Sequence, residues 1–155
     1  MKLVIPVAGK GTRLKRFGIP KGLLPIGRQP IVFRIIEYWS EYVEEVILIV
    51  SQDNINIYKE YFSRYYVGSL KIKFILQKNE FDGIIIKGTL GAINSAYSSV
   101  FDSGVILNWC DVLLQDEIPK KSIVKSCDTN FVITTNKISC RWGFSEGQFK
   151  HRKSN

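Results

Sequence analysis

The residues best suited to chemistry begin near the amino terminus, in Ala8-Gly9-Lys10-Gly11-Thr12-Arg13-Leu14. Small residues at positions 8, 9 and 11 let a backbone come close to a ligand, and consecutive amide groups in such a turn can cradle phosphate oxygens. Arg13 adds a guanidinium whose fork of donors suits a phosphate bidentately. Lys21 follows in Pro20-Lys21-Gly22-Leu23-Leu24-Pro25-Ile26, a stretch constrained by proline on both sides. Further on, Asp111 comes just after the apolar run from Gly104 to Trp109. A carboxylate at the carboxyl end of a strand is well placed to hold a hard cation through oxygen. The glycine-rich turn and its arginine suit the binding of phosphate groups. A structural reading stands beside it: a tight strand-to-helix turn at Gly9 to Gly11, and a turn or cap role for Asp111.

Two familiar phosphate motifs fail on detail. The GxxxxGK[ST] loop is absent. The dinucleotide fingerprint needs a third glycine where Leu14 stands, and an acid about 20 residues on, where Phe33 and Arg34 stand instead.

The elements that must carry these residues alternate between apolar strands and amphipathic helices. Strands are expected over Lys2 to Val7, Val46 to Val50, Leu70 to Gln77, Gly104 to Trp109 and Asn130 to Asn136. The run Val46 to Val50 is uninterrupted aliphatic, as in a strand covered on both faces. Helices are expected over Pro30 to Tyr42, with Ile31, Ile35, Tyr38, Trp39 and Tyr42 on one face, and over Asn54 to Tyr66. In the second, Ile57, Tyr58, Tyr61, Phe62 and Tyr65 form an aromatic stripe that reads as core. A third helix covers Leu90 to Val100, entered through Gly88-Thr89, and a short one begins at Pro119. Strands separated by helices imply right-handed crossovers. The expected fold is α/β, a Rossmann-like three-layer α/β/α sandwich with a mostly parallel sheet, as one domain over residues 1–155. Ligands in such folds bind at the carboxyl ends of the strands.

The pair GKGTRL and PKGLLPI resembles the amino-terminal signature of the sugar-phosphate nucleotidyltransferase family, whose members join a phosphorylated sugar to an NTP and release pyrophosphate. Gln77 after the third strand and Gly88-Thr89-Leu90-Gly91-Ala92 resemble the family's base-contacting segments, although Asn79 to Lys87 lengthens the connection between them. Asn108-Trp109-Cys110-Asp111 resembles its metal-binding Gly-Asp, with Cys110 in place of the glycine. The resemblance implies these roles. Ala8, Gly9, Gly11 and Thr12 would hold the triphosphate, Arg13 the leaving pyrophosphate and Lys21 the α-phosphate. Gln77, Gly88, Thr89 and Gly91 would read the base, and Asp111 would bind Mg2+. It also implies missing parts. Family members continue past a segment like Arg141-Trp142-Gly143-Phe144 into a Glu-Lys-Pro type motif and a second metal aspartate. Glu146 and Lys150 do not reproduce that spacing, so the acceptor half is expected to be absent.

Composition bounds the alternatives. With 45% hydrophobic and 23% charged residues, the 155-residue chain is of the soluble globular class. Its longest aliphatic run is far short of the ~20 residues that span a bilayer. No cleavable signal pattern follows the first strand, and a cytoplasmic protein is expected. Cys110, Cys127 and Cys140 form no CxxC pair, which argues for reduced thiols and against a disulfide framework or structural zinc. His151 has no plausible metal partners. The net charge of +8 is concentrated before Glu37 and at Lys150-His151-Arg152-Lys153, a field that attracts polyphosphate or simply a solvated surface. Nucleic acid is disfavoured as a ligand, because no base-stacking aromatic motif is interleaved with the basic residues. Three readings remain open at this point: a nucleotidyltransferase acting on an NTP and a phosphorylated acceptor, an NTP-binding module without turnover, and a basic nucleic-acid-binding domain. Exposed aromatic residues on an incomplete domain would also favour a homo-oligomer.

Overall fold

An uninterrupted aliphatic run, Val46 to Val50, sets the centre of the described fold. The structure, a computed structural model, describes residues 1–9, 18–86 and 88–114, all within one unit, Met1–Pro119. Glu45–Val50 (β4) is buried along its whole length. It pairs in parallel with Lys2–Pro6 (β1) on one side and Lys71–Leu76 (β5) on the other. Val105–Leu107 (β8) adds to the far side of β1, also parallel, giving the order β5-β4-β1-β8.

Each sheet face carries its own helices. Val4, Ile47 and Ile49 form a core with Ala92 and Ala96 of the helix Gly88–Val100 (α3). Because side chains alternate along a strand, Leu3, Ile5, Val46, Leu48 and Val50 face the other way. There Ile31–Trp39 (α1) packs on β1 and Ile55–Tyr65 (α2) packs on β5. The ring of Phe62 meets Phe74 edge-on at 5.5 Å, and Phe74 is in register with Leu48. The three-layer α/β/α arrangement and the parallel sheet agree with the sequence reading. Strand and helix limits differ from it by a residue or two, except that α1 stops at Trp39, short of the expected Tyr42.

Two features depart from expectation. The aromatic stripe of α2 does not all enter the core: Tyr58 and Phe62 do, but Ile57 is 41% and Tyr65 56% exposed. Here α2 lies over β5, the last strand of the sheet, so only part of its apolar face finds cover. Tyr61 and Tyr65 pack on each other instead, at 4.7 Å. The stretch Asn79 to Lys87 is not a plain connection either. It contains a ribbon of Glu80–Phe81 (β6) and Ile84–Ile85 (β7). The two-residue turn of this ribbon, Asp82-Gly83, has φ of 49° and 78°, the positive values that match a two-residue loop to the twist of a hairpin. A second small hairpin, Pro25–Ile26 (β2) with Gln29–Pro30 (β3), leads into α1.

The helix expected from Pro119, the strand expected over Asn130 to Asn136, Cys127, Cys140 and the basic tail with His151 lie outside the described residues. Among the described residues no helix is long and apolar enough to cross a membrane.

Candidate functional site

The strand order creates a crevice. From β1 the chain moves to β4 and β5 on one side, then returns to place β8 on the other. The strand order therefore reverses between β1 and β8, and ligands of open α/β sheets bind at such a switch point, outside the carboxyl ends. Ala8 and Gly9 emerge from β1 at this edge, and Asn108 to Asp111 emerge from β8. Ala8 is buried and Gly9 exposed. A Cβ built on Gly9 would meet no described atom within 4 Å, and its φ lies outside the left-handed region. Neither packing nor backbone among the described residues accounts for a glycine there. Gly11, Thr12 and Arg13, with Lys10 and Leu14, lie outside the described residues.

Lys21 is held by a tightly braced segment. Pro20 sets an extended entry at φ −58°, and Lys21–Leu23 forms a single 3-10 turn. Its backbone bonds run from Leu23 N to the Pro20 carbonyl and from Leu24 N to the Lys21 carbonyl. Gly22 is buried because the turn rests on the hydroxyl of Tyr58. A Cβ at Gly22 would stand 2.7 Å from that oxygen and 3.3 Å from Cγ1 of Val7. The lysine side chain reaches across the crevice, and its Nζ meets Oδ2 of Asp111 at 2.5 Å, over 90 residues of sequence. Both side chains remain partly exposed, at 31% and 51%. The two residues singled out for the α-phosphate and the metal are thus neighbours in space.

Asp111 sits in a turn whose ends are gripped by one side chain. Val112 N donates to the Trp109 carbonyl, closing a four-residue turn with Cys110 and Asp111 at its centre. The amide nitrogen of Asn108 donates to the Trp109 carbonyl at 2.8 Å and to the Val112 carbonyl at 2.9 Å. Its amide oxygen accepts from the indole Nε1 of Trp39, the last residue of α1, at 3.0 Å in the core. An indole N–H can only donate, so the orientation of the amide follows from chemistry. Asn108 is one of the few buried polar residues described, and its own N–H donates to the Val4 carbonyl.

Burial sets the protonation of the groups beneath. Tyr58 is fully enclosed, and among the described residues its hydroxyl finds no aligned hydrogen-bond partner, although the Gly22 backbone lies close by. Desolvation first, and the nearby Cys110 second, hold the phenol far above its ordinary range. The Cys110 thiol is likewise pushed up, mainly by burial and then by the charge of Asp111, against an opposing pull from Lys21. Both stay neutral at pH 7, so Asp111 is the acidic group of this loop. Among the described residues no three His, Cys, Asp or Glu side chains cluster to form a metal cage.

The expected base-reading residues gather at the end of β5. Gln77 extends the β4–β5 pairing through its N–H to the Val50 carbonyl, and its side-chain amide donates to Asn79 Oδ1 at 3.1 Å and to the Gly88 carbonyl at 3.3 Å. Gly88 and Thr89 are exposed at the start of α3, with Gly88 at φ +68°. Gly91 is buried against the carbonyls of Ile86 and Lys78, where a Cβ would overlap the Ile86 oxygen. Ser95 locks this join, accepting from Lys78 N at 2.8 Å and donating to the Gly91 carbonyl at 2.7 Å. Gln77 and Gly88 are therefore brought together, and both glycines also have reasons internal to the fold. Sequence reasoning missed Asn108, Tyr58 and the polar use of Trp39, since residue type alone does not show which buried polar group meets which.

Residues 3–132 match the family model of the MobA-like NTP transferase domain. The chain belongs to this family. Among curated relatives it is 33% identical over 140 residues to a bifunctional protein GlmU of Methanococcus aeolicus, covering 89% of this chain and 30% of the relative. It is 36% identical over 111 residues to a D-glycero-alpha-D-manno-heptose 1-phosphate guanylyltransferase of Campylobacter jejuni, covering 70% of this chain and 47% of that one. Among solved structures, HddC from Yersinia pseudotuberculosis superposes with a TM-score of 0.63 at 29% identity, over 81% of this chain and 53% of that one. A glucose-1-phosphate thymidylyltransferase assigned in Bacillus anthracis superposes with a TM-score of 0.68 at 17% identity, over 81% of this chain and 50% of that one, a likeness of fold. The chain spans between about a third and a half of the lengths of these proteins. The family resemblance and the α/β fold read from the sequence are both borne out.

Proposed function

We propose that this chain is the nucleotide-binding part of a nucleotidyltransferase, which passes a nucleotidyl group from an NTP to a sugar phosphate or similar phosphorylated alcohol. The observation that carries the reading is the meeting of Lys21 and Asp111 at the switch point, beside a Gly9 that nothing described around it explains. The names of the relatives, which include a sugar-phosphate guanylyltransferase, support the same class.

In the reaction a phosphate oxygen of the acceptor forms a bond to the α-phosphorus, and the bond from that phosphorus to the bridging oxygen of pyrophosphate breaks in line. Such chemistry rests on positioning and charge neutralisation. Backbone amides of Ala8, Gly9 and Gly11, with the Thr12 hydroxyl, hold the phosphates. Arg13 takes the charge that develops on pyrophosphate, and Lys21 turns from Asp111 to the α-phosphate. Gln77, Gly88, Thr89 and Gly91 line the base. Asp111 would hold Mg2+, and the ion would supply positive charge that offsets the charge of the phosphates. The residues present suit it: one carboxylate, partly exposed, completed by phosphate oxygens and water, is the usual way a protein holds this ion. A soluble nucleotide and a soluble acceptor accord with a cytoplasmic setting.

The test is calorimetric titration of CTP, UTP, dTTP, GTP and ATP into the purified chain, with and without Mg2+. Selective binding that strengthens with Mg2+ and weakens strongly in Arg13→Ala supports the reading. A folded chain that binds none of the five overturns it.

A further inference from the structure

We infer that Asn108 is a positioning residue for Asp111, anchored in the core by Trp39. The inference rests on the reading above that Asp111 is the metal ligand.

Three observations carry it. First, Asp111 is a central residue of the turn Trp109 to Val112, and the Asn108 side chain donates to the carbonyls at both ends of that turn. One amide therefore fixes the path of the backbone on either side of the carboxylate. Second, the amide cannot rotate freely, because its oxygen is tied to the buried indole N–H of Trp39. The tie joins the end of α1 to the end of β8, so the turn is referenced to the rigid body and not to solvent. Third, the turn has little other support among the described residues: Val112 is 41% and Leu113 39% exposed, and Trp109 is 38% exposed. Without the amide, the turn keeps its own Val112 N to Trp109 carbonyl bond, and the Asp111 carboxylate is held, among the described residues, by Lys21, which leaves for the phosphates when nucleotide binds.

Groups that orient a metal ligand without touching the metal govern its affinity, and their loss typically weakens metal binding by about 10- to 100-fold. Asn108 differs from a merely structural residue in what it should change. A general loosening would weaken phosphate binding with and without metal alike. Loss of the clamp should act on the metal-dependent part alone.

The experiment measures, by calorimetry, the affinity of the full chain for inorganic tripolyphosphate in the absence and presence of saturating Mg2+. The ratio of the two is the metal factor, and tripolyphosphate makes it independent of the base. Asn108→Ala should cut the factor about tenfold while changing metal-free affinity less than about twofold. Trp39→Phe, which keeps an aromatic ring but removes the donor, should cut it in the same direction by a smaller amount, and it decides the matter if Asn108→Ala does not fold. Asp111→Asn is the reference and should abolish the factor. If Asp111→Asn abolishes it while the folded Asn108 or Trp39 variant keeps the parent ratio, the positioning role is wrong and the metal assignment stands. If Asp111→Asn leaves the ratio unchanged, the metal assignment fails and takes this inference with it.

Discussion

The sharpest test of the site's architecture is a pair of small substitutions under Lys21. In Gly22→Ala the new methyl would lie 2.7 Å from the Tyr58 hydroxyl oxygen and 3.3 Å from Val7 Cγ1. Tyr58 is fully buried, so neither the ring nor the turn can move without disturbing the core. Overpacking of this kind costs about 1–3 kcal/mol. The substitution also restricts the unfolded chain, which returns about 0.4–1 kcal/mol. A net loss of about 1.5 kcal/mol is expected. Tyr58→Phe should behave in the opposite sense. Its hydroxyl has no aligned hydrogen-bond partner among the described residues, and a buried group in that state costs about 1–3 kcal/mol. Removing it should leave stability unchanged or raise it by up to about 1 kcal/mol, after the loss of the oxygen's packing contacts.

The double variant then separates the causes. Without the oxygen, the methyl introduced by Gly22→Ala faces a ring carbon at an ordinary 3.6 Å, and most of the penalty should vanish. Non-additivity of about 1–2 kcal/mol is the expected signature of direct contact. Urea unfolding measures it, through midpoints compared at constant slope. In thermal scans 1.5 kcal/mol corresponds to roughly 3–6 °C for a domain of this size. Two results would refute the reasoning. Strict additivity means that methyl and hydroxyl do not meet. A loss above about 1 kcal/mol in Tyr58→Phe alone means that the hydroxyl is hydrogen-bonded after all, with the Gly22 backbone as the nearest candidate.

Other predictions follow from the same geometry. Lys21→Ala and Asp111→Asn should each change stability by less than about 1 kcal/mol, since exposed ion pairs contribute little, while Asp111→Asn lowers Mg2+-dependent nucleotide affinity tenfold or more; an unfolding loss above about 2 kcal/mol would mark the pair as structural. Gly91→Ala should cost about 3 kcal/mol, the upper end of overpacking, because its methyl meets backbone carbonyls and not flexible side chains. Hydrogen exchange at the Lys78 and Ile86 amides, bonded to Ser95 and Asn79, should quicken with it, and unchanged exchange would place the strain elsewhere. Stability should also fall as pH rises past 10. The raised pKa of Tyr58 means that the folded state keeps a proton which the unfolded chain releases near 10.0. The contribution is therefore whole below that pH and lost above it, at up to ~1.4 kcal/mol per pH unit. Tyr58→Phe should show a shallower alkaline decline in urea unfolding, and identical slopes would contradict the burial of the phenol.

Much of this arrangement can be read from the residues. Val46 to Val50 declares a strand covered on both faces, and the helical spacing around it forces crossovers and a parallel sheet. Asp111 falls after an apolar run, so its place at the carboxyl edge follows from the strand itself. Other features resist such reading for identifiable reasons. Strands of two residues, as in β6 and β7, are too short to show a period, although Asp82-Gly83 is a turn signal that a closer look could have used. Helical spacing tells which residues of α2 share a face, but not that the sheet ends beneath it and leaves Ile57 and Tyr65 exposed. The amide of Asn108 announces two donors and an acceptor, and nothing in the chain says that Trp39 and both ends of one turn will take them.

The exposure of the Lys21–Asp111 pair bears directly on how the site can work. Were the two charges deep in the core, separating them would leave each uncompensated, at a cost of about 3–5 kcal/mol, and nucleotide binding would have to supply that energy. At the rim, with both side chains partly in water, the exchange of one partner for another costs little. In the proposed reaction Lys21 would pair with phosphate and Asp111 would hold Mg2+, so each charge would be matched before and after. The layer below contributes by staying neutral. Burial holds both the Tyr58 phenol and the Cys110 thiol in their protonated forms, so neither adds a negative charge beneath the proposed triphosphate site. A cysteine in place of the glycine of the Gly-Asp that this segment resembles is compatible with that chemistry because its thiol is kept from ionising. Replacement of Cys110 by aspartate should therefore weaken tripolyphosphate binding in the absence of metal, whereas Cys110→Ser should leave it near the parent value. Equal affinities for the aspartate and serine variants would show that charge beneath the turn does not reach the phosphates.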